Sequence, residues 1–118
     1  MKHINLFPKI NVGDFLKLQR HYAFKVYPHI VPSKTFDSFF EYEQTIHGFA
    51  AVFDHIYKRF NKGESIFIVE LKQETYYVKG TDPYCPFLFA RVMDSAGESV
   101  WIQIEQRKHF SYIFSICK

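Results

Sequence analysis

Apolar residues recur at steps of three and four between Thr35 and Phe60: Phe36, Phe39, Phe40, Ile46, Phe49, Ala50, Phe53, Ile56, Tyr57 and Phe60. Such spacing is the stripe of one helix face, and it predicts a single main helix lying across a sheet. Ser33 or Thr35 is placed to cap its start, with Asp37 and Glu41 in the first turns. Lys58, Arg59 and Lys62 suit its end, and Gly63 is placed to terminate it. Gly48 interrupts the middle, and the pattern leaves open whether the helix is continuous, kinked or split there.

The rest of the chain follows period two. Ile66–Val69 is apolar on both alternating faces, as in a strand covered on both sides. Thr75–Val78 is rich in strand-forming residues. Loops are expected between Pro28 and Pro32 and from Gly80 to Pro86. Phe87–Met93 and Ser99–Glu105 flank a turn centred on Ser95-Ala96-Gly97. A three-residue loop with Gly97 in the left-handed region sets Asp94 opposite Glu98. Val92 then faces Val100, Ala90 faces Ile102, and Leu88 faces Ile104, all on a core face. The other face sets Arg91 opposite Trp101, close enough for a cation–ring contact. Gln106–Lys108 reads as a turn, and Phe110–Ile116 as a last strand. Near the N-terminus, Val12-Gly13-Asp14 reads as a turn. Leu16, Leu18, Tyr22, Phe24 and Val26 then fall on even positions, with Lys17, Gln19, His21 and Lys25 on odd ones. Residues 14–27 therefore read as one long strand or a bent pair in preference to a helix. The expected fold is α+β: one domain over residues 1–118, built as a small curved β-barrel. It has five to seven mostly antiparallel strands plugged or capped by one main helix.

Composition narrows the class without naming a function. The 118 residues are 47% hydrophobic and 23% charged, a globular rather than disordered mixture. No apolar run approaches the roughly 18 residues of a membrane span, and Pro8 and Lys9 break any secretory core. Cys85 and Cys117 are too few for a disulfide framework, which points to a reducing cytoplasm. The net charge is +3, but it is unevenly spread. Residues 1–34 carry six Lys/Arg against Asp14 alone, with His3, His21 and His29 besides.

No catalytic chemistry is legible. Cys85 precedes Pro86 with no nearby histidine, and Cys117 stands next to the last residue. The histidines, including His47, His55 and His109, show no zinc spacing, and no phosphate loop or nucleophile elbow occurs. The expectation is a non-enzymatic protein with no metal and no cofactor. What stands out is cations interleaved with flat rings, the composition that binds single-stranded or structured RNA. Arg20, Lys25, Lys34, Lys72, Lys79, Arg91, Arg107 and Lys108 are the candidate phosphate contacts. Tyr27, Tyr76, Tyr77 and Trp101 are the candidate stacking platforms. The alternative is a protein-binding module, such as an immunity or inhibitor protein, centred on Arg91 and Trp101.

The stretch Val12-Gly13-Asp14-Phe15-Leu16-Lys17-Leu18, in a small Phe/Tyr-rich chain with strands around one helix, resembles the PUA-like RNA-binding barrels. More narrowly, the chain resembles the small PrgU-type proteins of enterococcal pheromone-responsive conjugative plasmids. That resemblance implies a cytoplasmic post-transcriptional negative regulator, plasmid-encoded, that binds RNA and limits production of a surface adhesin. In PUA domains a Gly-Asp stretch usually follows the main helix, whereas here it precedes the segment read as helical.

Overall fold

The structure, a computed structural model, describes residues 6–47, 57–80 and 85–117. Its elements in chain order are β1 (Phe15–Leu18), β2 (Tyr22–Lys25), β3 (Lys34–Phe36), α1 (Phe39–Tyr42), β4 (Tyr57–Phe60), β5 (Ser65–Val78), β6 (Cys85–Met93), β7 (Ser99–Ile104), α2 (Arg107–Ile113) and β8 (Phe114–Cys117). A π-helical stretch, Glu43–His47, continues α1. The fold is thus α+β and mostly antiparallel, with two short helices. The main sheet runs β7-β6-β5-β1-β8, and β3 adds to β5 in parallel. A second, two-stranded sheet pairs β2 with β4. Among the described residues no ladder joins β7 to β8.

The β6–β7 hairpin forms in the expected register. Val92 pairs with Val100, Ala90 with Ile102, Leu88 with Ile104 and Arg91 with Trp101. Gly97 takes φ +87°, the left-handed conformation that the loop demands. Residues 14–27 form the bent pair, β1 then β2, placed in different sheets.

β5 is the organising strand. It runs unbroken through 14 residues, joining the two segments that read as separate strands. β6 borders it along one edge, while β1 and β3 share the other edge at opposite ends. Between Ile68 and Glu70 the register against β6 shifts by one, because Val69 is an extra residue. A bulge of this kind reverses which positions face which side. Ile66 and Ile68 enter one core before it, and Leu71 enters that core after it. Lys72, Glu74 and Tyr76 thereby move to the opposite face, where Tyr76 joins a second core with Phe87 and Phe89.

The sheet is therefore covered on two faces. The first core holds Leu16, Leu18, Ile66, Ile68 and the inner positions of β6 and β7. Phe24 roofs it, stacked on Phe114 at 5.5 Å and edge-on to Phe60 at 5.8 Å. The second core holds Tyr27, Phe36, Tyr42, Ile46, Tyr76, Phe87 and Phe89. Of the β6 face that carries Arg91, the half at Phe87 and Phe89 is thus buried, so the exposed Arg91–Trp101 face expected as the centre of an interface is partly covered. Trp101 packs against the second core, and Arg91 turns to Glu70 (3.1 Å) and Ser99 Oγ (3.2 Å).

The single helix expected over 35–60 is not formed. Thr35 and Phe36 lie in β3, and Tyr57–Phe60 form β4. Gly48, Ala50, Phe53 and Ile56 fall outside the described residues. Among the described residues of this segment, Phe39–His47 is helical, capped by Ser38, whose Oγ accepts from the Glu41 N–H. Strand partners outweigh helical spacing here: β3 finds the β5 edge and β4 finds β2. Phe39 and Phe40, central to the apparent stripe, are 60% and 64% exposed. Lys58 closes no helix; it ties β4 to the hairpin through Asp94 (3.0 Å) and Glu98 (2.8 Å). Gly63, expected at a helix end, sits in the β4–β5 turn with φ +88°.

The last strand is also shorter than expected, because Arg107–Ile113 is α2 and only Phe114–Cys117 is β8. Phe110, Ile113 and Phe114 fit both periods. Their i, i+3, i+4 spacing is the one that buries all three.

Two outcomes follow. Deleting Val69 removes the extra residue and keeps every later residue on its present face, whereas inserting an alanine after Leu71 shifts the following residues by one and directs Lys72 and Glu74 toward the first core. The insertion should abolish the cooperative thermal transition, while the Val69 deletion should only shift its midpoint. Asp94 is the second case. The Lys58 ammonium, aided by the N–H groups of Glu98 and Ala96, holds its carboxyl below the usual carboxylate range. A depressed folded-state pKa adds stability that is full above the unfolded value and lost as pH falls through the folded one. Asp94→Ala should cost about 2 kcal/mol at neutral pH, as lost charge-assisted bonds do. In urea titrations that gap should narrow below about pH 4.

Candidate nucleic-acid interface

The twelve residues singled out from the sequence do not converge: seven lie around β3, β2 and the far end of β5, three around α2, and Arg91 and Trp101 lie between them on β6 and β7.

The first group surrounds β3 and the far end of β5. Lys34 lies opposite Tyr76 in the ladder, with its Nζ 4.8 Å from the Phe36 ring centroid. Lys79 pairs with Asp37 at 3.0 Å. Lys72 is exposed on β5. Lys25 Nζ sits 5.2 Å from the Tyr27 ring, and burial pushes its pKa down while Glu43 raises it. With Asp37, Glu41, Glu43 and Glu74 in the same region, the charge here is mixed.

Two of the four stacking candidates are core residues. Tyr76 is 2% exposed, and its hydroxyl donates to the Val31 carbonyl at 2.6 Å. Burial raises its phenol pKa, with Glu74 adding to the shift. Tyr27 is buried edge-on to Phe89, and its N–H donates to the Trp101 carbonyl, tethering the segment after β2 to β7. Burial, then Glu105, pushes its pKa up to about 12. Trp101 is half-buried. Tyr77 alone of the four stands on the surface, beyond the Tyr76 that shares its strand.

The second group gathers around α2. Arg20 lays its guanidinium 3.5 Å from the centroid of Tyr112, a ring that is 56% exposed. The same side chain donates from Nε to the Tyr112 carbonyl at 2.8 Å. Next to it, Gln19 Nε2 donates to the carbonyls of Ser111 (2.8 Å) and Phe114 (2.7 Å). These bonds satisfy carbonyls that a helix end leaves without partners. At the other end, the Arg107 N–H donates to the Leu6 carbonyl and its Nε to the Phe7 carbonyl. Arg107 and Lys9 line one cleft of about 620 Å³ with Gln19, Ser111 and Ser115. Lys108 borders a second cleft, of about 280 Å³, on the other side of the helix. Lys17 stands opposite Ser115 in the β1–β8 ladder.

Arg20, Arg107 and Lys108 were expected from the sequence, while Lys9, Lys17 and Tyr112 were not. All five bases are exposed. Among the described residues, the ion pairs engage Lys58, Lys79, Arg91 and His109, and none of these five. The legible signal for Lys17 was its odd position on a strand whose even positions are apolar. Nothing in the sequence joined Lys9 or Tyr112 to it, because α2 and the N-terminal segment meet only in the fold. No group of three metal-ligating side chains occurs among the described residues, and Cys117 is exposed and free. Among them, too, no helix is long and apolar enough to cross a membrane.

Tyr76 and Tyr112 should separate in experiment. Tyr76→Phe leaves the Val31 carbonyl without its donor and should cost about 1 kcal/mol in urea unfolding. Tyr112→Ala, at an exposed ring, should cost less, through loss of the Arg20 contact alone.

No family model, curated protein or solved structure matches this chain.

Proposed function

We propose that this chain is a non-enzymatic RNA-binding regulatory protein whose anionic ligand docks on the α2 face. The observation that carries the reading is the set of exposed bases Lys9, Arg20, Arg107 and Lys108 on and around one short helix, with Lys17 at the adjoining β1–β8 edge and the exposed Tyr112 ring beside Arg20. Among the described residues these bases form no ion pair, which leaves them available to phosphate, and each phosphate neutralised releases counterions. The Arg20–Tyr112 stack adds a flat, charged surface of the kind that unpaired bases use. The β3 end of the molecule supports the reading less, since its lysines stand among carboxylates. A cytoplasmic role as a plasmid-encoded negative regulator of adhesin production, and a PUA-like relation, enter this proposal through the Val12–Leu18 resemblance.

The alternative protein-binding module lacks its anchor. Arg91 is engaged by Glu70, and Trp101 is seated on the second core.

Fluorescence anisotropy with a labelled RNA at a series of salt concentrations tests the proposal. Affinity should fall steeply with salt. Replacing Lys9, Lys17 and Lys108 together by Gln should lower the slope of log K against log salt by about 2, at roughly 0.7–0.9 per phosphate contact. Replacing Lys72 and Lys79 should leave the slope nearly unchanged. Absence of binding at low salt sinks the proposal.

A further inference from the structure

Among the described residues, the face of the main sheet that carries the second core is covered at one end. At the β3 end, Tyr76, Phe87 and Phe89 lie beneath β3 and α1. At the β1 end, the same face presents a row of residues in register across five strands: Cys117, Phe15, Phe67, Met93 and Ser99. Phe15 is 49% exposed, and its ring centroid lies 4.9 Å from that of Phe67. The adjoining row is Ser115, Lys17 and Ser65. Ser115 also lines the cleft that holds Lys9 and Arg107.

We infer that Phe15 and Phe67 form a base-stacking platform that makes the protein select single-stranded RNA over duplex. The inference rests on the proposed RNA-binding function and adds to it the form of the ligand. On adjacent strands, the half-exposed Phe15 ring, tilted 57° against the partly buried Phe67 ring, offers a flat surface that every base can use. A duplex keeps its bases stacked on each other and cannot reach such rings, whereas a single strand can splay its bases onto them. Charge complementarity argues for a nucleic acid over an apolar partner. Lys17 lies one row from Phe15, and the Lys9–Arg107 cleft begins beyond Ser115. A strand crossing from ring to cleft therefore meets stacking surface first and cations next. Arg91, on the same face, is neutralised by Glu70 and adds no net charge.

The test compares a labelled single-stranded 12-mer with the same sequence annealed to its complement, at low salt, with the full chain. The single strand should bind at least about 10-fold more tightly, and Phe15→Ala should remove about 10-fold of that affinity, within the range of one lost stack. Phe15→Trp should restore it. Because Phe15 is half-exposed, circular dichroism of the variants should match wild type. Equal affinity for duplex and single strand, or an unchanged Phe15→Ala, overturns the inference while leaving the RNA-binding function standing. Failure of wild type to bind either RNA removes both. Sedimentation supplies a further outcome: a dimer that Phe15→Ala converts to monomer would show that a second copy covers this face, and would overturn the inference.

Discussion

One inserted residue determines how this chain distributes its side chains. β5 is long enough to serve two halves of the molecule, and strict alternation along it would give each face one set of positions throughout. Val69 breaks that alternation. Before it, even-numbered residues fill the first core; after it, they fill the second. The exchange sends Tyr76 into a buried aromatic cluster, and it keeps Glu70, Lys72 and Glu74 from pointing at Ala90 and Leu88. Buried carboxylates or ammonium groups without partners would cost several kcal/mol each, far more than the one ladder position the bulge disrupts.

The same insertion sets where an open surface can exist. The second core covers the half of its face beyond the bulge, because β3 and α1 are brought there by pairing with the end of β5. The half before the bulge receives no such cover among the described residues. Phe15 and Phe67 lie on it, and the cationic cluster around α2 borders it. The acidic residues Asp37, Glu41, Glu43 and Glu74 lie at the other end. Charge at that end is mixed, because Lys25, Lys34, Lys72 and Lys79 stand there beside the carboxylates.

Legibility varied with how local the deciding interaction was. The β6–β7 hairpin could be read residue by residue, since alternation, a glycine and a three-residue loop all specify one register. The segment from Thr35 to Phe60 could not. Its spacing suits a helix, but Phe36 and Phe60 are buried by strand partners some 40 residues away in sequence. Phe110 to Ile116 satisfied both periods, so alternation alone could not decide it. Tyr27 and Tyr76 looked like surface rings because each has a lysine close by in sequence. Their burial depends on which face of a strand they occupy, and for Tyr76 that depends on the bulge. Phe15 was overlooked for the opposite reason: it is an apolar residue on the odd-numbered, polar face of β1, and that exception was itself the signal.

The α2 cluster shows why its arginines and lysines are not equivalent. A seven-residue helix cannot persist alone, and this one has no side-chain cap at its start. Phe110 and Ile113 hold it by burial, while Gln19, Arg20 and Arg107 hold it by bonds to and from the main chain at its two ends. The arginines thus keep α2 in place with one nitrogen and present the remainder of a planar, permanently charged fork to solvent. Lys9, Lys17 and Lys108 have no comparable bond and contribute charge alone. A ligand that neutralises this face relieves repulsion among the like charges gathered on and beside α2. Occupancy of the face should then tighten the same contacts that hold α2 on the first core, so that binding and local stability are coupled through Arg20 and Arg107.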